Sequence, residues 1–297
     1  MLGRKVFFSF TQVVDPTSHA EYNAWHQLDH RPENLALDGV VHGERWVHSP
    51  DCAESTRTCE ALDGVHYVNS YWFRDPVDES LAQWQDLAVR TFQMGRRPDV
   101  RLSRRLVMGT FMPVKGYVSP RCLVSADALP MRPNRGISLV ATRVQDPNGS
   151  VSEQFFARQD REVIPALLEC EEVAGVWTFS SYSTTLDVGR DSDDGVTFAE
   201  DDRTSSGQVR IVMVFLDGDP ACIWPIGHGA GSSSSRNRSN KASNSCSPGY
   251  YATSSLGTGH GSTREKAVPR ITPLPVATRP HLGRMLGKRG HNERRAH

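Results

Sequence analysis

One pattern of strand runs, helix signals and Asp-Pro stops occurs twice along this chain in the same order, and few folds accommodate that. Lys5–Val14 is rich in β-branched and aromatic residues and reads as a strand, stopped by Asp15-Pro16. Ser18-His19-Ala20-Glu21 has the form of a capping box, in which the hydroxyl and the carboxylate satisfy the orphan amides of a helix start. Trp25, Leu28, Pro32 and Leu35 follow at helical spacing as the buried stripe. Pro32 has no amide hydrogen and disfavours helical geometry at Arg31, so a kink is expected near His30. Gly39 ends the helix, Val40–Val47 is a second strand, and Ser49–Gly64 is a polar loop. Val65–Phe73 is a third strand. Asp75-Pro76 opens a second helix running to about Met94, striped by Leu81, Trp84, Leu87, Ala88 and Phe92. Leu106–Val118 completes a β-α-β-β-α-β order.

The punctuation then returns. Strand Ile137–Gln145 is followed by Asp146-Pro147, and Ser152–Glu172 reads as a helix in which Pro165 stands 10 residues after Phe155, as Pro32 stands 10 after Tyr22. Gly175-Val176 echoes Gly39-Val40, and strand Gln208–Leu216 is closed by Asp219-Pro220. The shared order points to duplication, with α+β units at 1–120 and 136–220 and the second cut short. Charge marks the same boundary. Residues 1–220 hold 22 Lys and Arg against 32 Asp and Glu, whereas 221–297 hold 12 against 2. Beyond Pro220 no amphipathic helix or alternating strand is legible, and Gly229–Ser247 is a Gly/Ser/Asn-rich tract. Residues 221–297 therefore read as a low-complexity basic tail, disordered for want of apolar surface. Two origins fit: a shifted reading frame, preferred because the change falls where the repeat predicts structure, or an authentic tail that contacts acidic partners. A second sheet lacking one strand would leave an open edge, so pairing into a homodimer is expected.

The segment Tyr22-Asn23-Ala24-Trp25-His26-Gln27-Leu28-Asp29-His30-Arg31-Pro32-Glu33, closing with Gly39-Val40, resembles the helix-one signature of EthD-like dimeric α/β-barrel proteins. The resemblance implies tandem ferredoxin-like units that pair through their sheets and enclose a dimeric-α/β-barrel-type arrangement, both from one chain. The superfamily spans monooxygenases, isomerases, cyclases, haem-dependent enzymes and proteins without assigned activity, so the fold selects no reaction. The second unit has Glu162, Val163 and Arg158 where the first has Asp29, His30 and Trp25, which confines any inherited site to the first unit.

On an ideal helix Tyr22, Asp29 and Glu33 lie along one edge of the Trp25 stripe, with His26 and His30 four residues apart. A histidine beside a carboxylate suits acid–base work, because the carboxylate orients the imidazole and holds its pKa near neutrality. His30, Asp29 and His26 are thus the candidate catalytic residues, against the plainer reading of solvated histidines or of His30 capping the kinked turn. Tyr67, Asn69 and Tyr71 share one face of the third strand, and His66, Ser70 and Trp72 the other. Tyr22, Trp25, Tyr67, Asn69 and Tyr71 are the candidate ligand-binding residues, lining an apolar pocket with a few polar points; for any one of them alone, a core aromatic is the simpler assignment.

Other chemistries find less support. His42, Glu44 and His48 alternate along the second strand and match no metal-ligand spacing rule, so no metal is assigned. Val77–Met94 contains no histidine to hold a haem as some barrels of this class do, and no cofactor is expected. Asp191–Gly195 misplaces the glycine of a calcium loop, and Gly257–Gly261 lacks the strand and lysine of a phosphate loop. From Gly229 onward the tail carries only Tyr250 and Tyr251 as aromatics, which argues against nucleic acid. Six cysteines at irregular spacing, with Cys52 and Cys59 in one loop, fit free thiols better than a disulfide or half a zinc site. The N-terminal run reads as a strand rather than a leader, and no stretch is long and apolar enough for a membrane, so a cytoplasmic protein without membrane contact is expected. The expected function is cofactor-independent acid–base chemistry on a small hydrophobic or aromatic metabolite: cyclisation, dehydration, isomerisation or oxygenation. The alternative is a non-catalytic ligand-binding or assembly module.

Overall fold

A computed structural model describes residues 3–53, 62–98, 102–188, 206–218, 220 and 251–256. The first half contains β1 (Lys5–Val13), α1 (His19–Trp25), α2 (Arg31–Leu35), β2 (Val40–Val47), a short α3 (Pro50–Ala53), β3 (Tyr67–Phe73), α4 (Val77–Gln93) and β4 (Ser103–Val118). The second contains β5 (Gly136–Arg143), α5 (Ser150–Arg158), α6 (Ile164–Glu169), β6 (Val173–Val188), β7 (Val209–Leu216) and β8 (Tyr251–Leu256). The eight strands form one sheet in the order β2-β3-β1-β4-β6-β7-β5-β8, every neighbouring pair antiparallel. Each half follows the order second, third, first, fourth, as a ferredoxin-like unit does. The architecture is the expected α+β arrangement of the dimeric α/β-barrel kind.

β8 corrects one expectation. Tyr251–Leu256 pairs antiparallel with Ile137–Ala141 of β5, in the place that β4 takes against β1. Its sequence, Tyr-Ala-Thr-Ser-Ser-Leu, has no apolar alternation, so backbone pairing against the β5 edge carries it. No second helix precedes it among the described residues. The rest of the expected tail, 221–250 and 257–297, lies outside the described residues, as do Cys59 and the acidic loop Asp191–Gly195.

The halves join through their longest strands. β4 and β6 pair from Arg105↔Val188 to Val118↔Gly175, with two register shifts flanking Phe111 and Pro113 that bend the ribbon. The sheet curls until Cα atoms of α3, just after β2, come within 8 Å of β8 at the opposite end. Its concave face is packed solid. Val6, Phe8 and Phe10 from β1, Val68 and Trp72 from β3 and Phe111 from β4 meet Trp177, Phe179, Ile211, Met213, Ile137 and Leu139 from the second half. Phe8 lies edge-on to Phe179 at 5.0 Å, and Trp72 to Trp177 at 5.6 Å. The helices cover the other face: Phe7, Val40, Tyr71 and Phe73 pack under Trp84 of α4, while Tyr67 packs beneath Tyr22 of α1.

Two local features differ from the sequence reading. The capping box at Ser18 does not form. Asp15 Oδ1 instead accepts from the Thr17 amide and hydroxyl, both at 2.8 Å, and a single 3-10 turn, Pro16–Ser18, leads into α1. The kink expected at Pro32 is a π turn, His26–His30, in which the Arg31 amide donates to the His26 carbonyl five residues back. The second half has the same device: Gln159–Val163 is a π turn, the Ile164 amide donates to Gln159, and Pro165 follows. In both places the proline lacks the donor that would continue the α-helical ladder, and the turn before it widens by one residue.

Candidate functional site

The π turn sets the geometry of the candidate site. In an α-helix residues five apart diverge around the axis, but a turn closed by a five-residue hydrogen bond brings them over one another. His30 therefore stacks on Trp25, ring centroids 4.6 Å apart and planes 20° apart, and stands edge-on to His26 at 5.3 Å. A 3.6-residue period could not foresee the Trp25–His30 pair. Asn34, buried on α2, donates its amide to both Nδ1 (3.2 Å) and the carbonyl oxygen of His30. With Nδ1 accepting, neutral His30 carries its proton on Nε2.

A cavity of about 80 Å³ opens between these helices and the sheet. Tyr22, Trp25, His26 and His30 border it from the helix side, Ser9, Asn69, Tyr71 and Arg105 from the strands, and Trp84 and Arg97 from α4 and the turn after it. The Asn69–Tyr71 face of β3 thus points under the helices, and the Ser70–Trp72 face into the filled barrel. Three buried polar atoms at this cavity have no hydrogen-bond partner among the described residues: His26 Nδ1, Asn69 Oδ1 and Tyr71 OH. Their residues are 2%, 4% and 2% exposed. Buried polar atoms are rarely left unpaired, and three around one space mark a place that water or a ligand completes. Gly43 makes room for one of them, since a Cβ there would stand 2.5 Å from the Tyr71 ring.

The electrostatics are one-sided. Burial, reinforced by the charges of Arg45, His30, Arg105 and Arg31, pushes His26 well below its usual pKa. Burial, with Arg97 and Arg105, does the same to His30. Both imidazoles are neutral at physiological pH. Burial raises the Tyr71 phenol, which stays protonated and able to donate. No carboxylate borders the cavity among the described residues.

The remaining expected site residues fall elsewhere. Asp29 does not orient His30; it faces Arg96, which donates to its Oδ2 from Nε (3.0 Å) and Nη2 (2.8 Å) and also holds Glu33 at 2.8 Å. The reason is again the π turn, which rotates Asp29 off the edge an ideal helix would give it. Tyr67 lies beyond the cavity wall. Its hydroxyl is within 2.8 Å of His19 Nδ1 and accepts from Asn23 at 2.9 Å, its ring stacks on Tyr22, and the Arg45 guanidinium lies over the ring, 4.6 Å from its centroid. Arg97 and Arg105 were missed by the sequence reading. The signal for Arg97 was Gly95: with φ +66°, it closes α4 in a Schellman turn, the Arg96 amide donating to Thr91 and the Gly95 amide to Phe92. The chain reverses there, sending Arg96 to the π turn and Arg97 to the cavity, where its Nε donates to Thr91 Oγ1 at 3.1 Å. Among the described residues no three His, Cys, Asp or Glu side chains converge as metal ligands, and no helix is long and apolar enough to cross a membrane.

No family model matches the chain. No curated protein matches it either. Among solved structures it is similar to one described as an anthrone oxidase-like protein, at 12% identity and a TM-score of 0.41, over 87% of this chain and 92% of that one.

Proposed function

We propose that the first half of the chain is an enzyme that moves a proton on a small hydrophobic or aromatic metabolite, using side chains of the cavity beneath the π turn. The observation that carries this reading is the convergence of three buried polar atoms without partners among the described residues, His26 Nδ1, Asn69 Oδ1 and Tyr71 OH, on one space beside neutral His30. In the tautomer that leaves its lone pair on Nδ1, His26 is the base. His30 Nε2–H and the Tyr71 hydroxyl are donors for an oxygen that gains charge as the proton leaves. Returning that proton to a different atom of the same molecule is an isomerisation, balanced without a co-reactant. Asp29 contributes at one remove, through the Arg96 bridge that ties the π turn to the end of α4. The cavity volume limits what enters: about 80 Å³ is half the roughly 150 Å³ that takes up a benzene ring. The reacting end of a substrate fits, and its body extends outside, past the half-buried Trp25.

The test compares wild type with His26→Gln and His30→Ala in a metabolite extract, following by mass spectrometry which compounds are converted. Conversion by wild type, lost in both variants at unchanged melting temperature, is expected. Conversion retained by both would remove the histidines from the chemistry. Compounds that co-purify with wild type and are never converted would favour the binding-module alternative.

A further inference from the structure

We propose that the ligand of this cavity is a small monocarboxylate, held through its carboxylate by Arg97 and Arg105. This rests on the reading that the cavity is the functional site, and names the class of molecule it takes.

The argument is one of charge. Arg97 and Arg105 border a cavity that contains no acidic side chain among the described residues. Neither guanidinium has a carboxylate within ion-pair distance among those residues: Arg97 donates to Thr91 Oγ1 at 3.1 Å and Arg105 to Ser103 Oγ at 2.6 Å, both neutral acceptors. Arg96, the immediate neighbour of Arg97, pairs with Asp29 and Glu33, so that Asp29 reaches Arg97 through its field and not through an ion pair. Arg45 adds a third cation nearby, turned to Asn23 and the Tyr67 ring, with its Nη1 buried and without a hydrogen-bond partner among the described residues. Two cations facing one largely dehydrated space repel each other, and burial and Arg105 together lower the affinity of Arg97 for its own proton. Such a site is completed by an anion, and a planar carboxylate suits the guanidinium fork.

The same anion would repair the weakness of the base. Burial is the larger cause in both cases, but the charges that add to it include Arg105 for His26 and are Arg97 and Arg105 for His30. A carboxylate between the two arginines offsets that field and moves both imidazoles back toward the range in which they exchange protons. A neutral ligand leaves them as poor bases. Size agrees: a carboxylate and the atom bearing it fit about 80 Å³, whereas a whole ring does not.

Benzoate and benzamide, matched in shape and differing in charge, are the probes, titrated into the full chain and followed by calorimetry and by imidazole NMR. Benzoate is expected to bind at least tenfold more tightly than benzamide, less tightly as salt rises, and to raise the pKa of His26 and His30. Arg97→Gln and Arg105→Gln are each expected to weaken benzoate tenfold or more, Arg97→Lys and Arg105→Lys to weaken it less, and Arg90→Gln, on the exposed side of α4, not at all. Equal affinity for the two probes, undetectable benzoate binding, or benzoate binding untouched by both glutamine variants would overturn the proposal. The acid–base reading stands or falls separately. If His26→Gln and His30→Ala bind benzoate as wild type does and still convert whatever wild type converts, that reading fails while the carboxylate site remains.

Discussion

Tyr71 is the side chain at which stability and the proposed function pull in opposite directions. Its ring is core, wedged against Trp84 and facing Gly43, while its hydroxyl sits buried without a partner among the described residues. An unsatisfied buried hydroxyl costs stability, so Tyr71→Phe is expected to leave the unfolding free energy unchanged or raise it by about 1 kcal/mol. Ligand affinity or turnover should fall at the same time, and a denaturant titration beside a binding assay checks both. The histidines give a second expectation. Burial and neighbouring charges hold His26 and His30 well below 6.5, and burial, with His19 and His48, pushes His66 down to about 4. An unfolded chain, with its histidines near 6.5, then binds more protons than the folded one between about pH 4 and 6.5. Stability should rise with pH across that window and level off above it, which urea midpoints measured from pH 4 to 8 would register. Much at this scale was legible in the sequence: the helix-one motif named His26, His30, Tyr22 and Trp25, all of which border the cavity. Asp29 and Tyr67 were placed there too, and do not border it. Arg96 takes the one and His19 with Asn23 the other, and such long-range partners leave no trace in local spacing.

At the scale of elements, the alternation of strands and helices was readable because each apolar period is clear. What periodicity could not supply is the π turn, since His26–His30 contains no residue that demands it and the cause lies downstream at Pro32. The turn after α4 was equally hidden, although one residue in it is diagnostic. Gly95 adopts φ +66° with open space around it, so any penalty for a side chain there is conformational rather than steric. Gly95→Ala should cost about 1–2 kcal/mol, and Gly95→Asn less, because asparagine tolerates the left-handed region. The alanine variant should also loosen Arg96 from Asp29 and Glu33 and displace Arg97. Its affinity for an anionic probe should therefore fall by more than the stability change alone would explain. Equal affinity in the alanine and asparagine variants would separate the turn from the site.

At the scale of the molecule, the concave face of the sheet is a single core shared by both halves. Phe8 and Trp72 from the first meet Phe179 and Trp177 from the second, so neither half can shed its packing alone. Trp72→Ala should destabilise the whole chain by about 3–5 kcal/mol in one transition, with far-ultraviolet dichroism and tryptophan fluorescence coinciding. Separate transitions would mean that the halves fold as independent bodies. The strand order that both halves share was legible in the sequence as far as Pro220 and no further, because β8 has too few apolar residues to announce itself and is legible only beside the β5 edge it pairs with. The two π turns have one further consequence. In a barrel built from two identical chains, every residue of one turn is obliged to appear in the other, and both sites must change together. Here the linkage is broken: Gln159 and Val163 stand where His26 and His30 do, and Arg158, which bonds Glu162 at 3.0 Å, replaces Trp25. A saturating titration should therefore count one equivalent of ligand per chain. The second half is left free to drift as scaffold, or to receive a different chemistry by substitution at those positions alone.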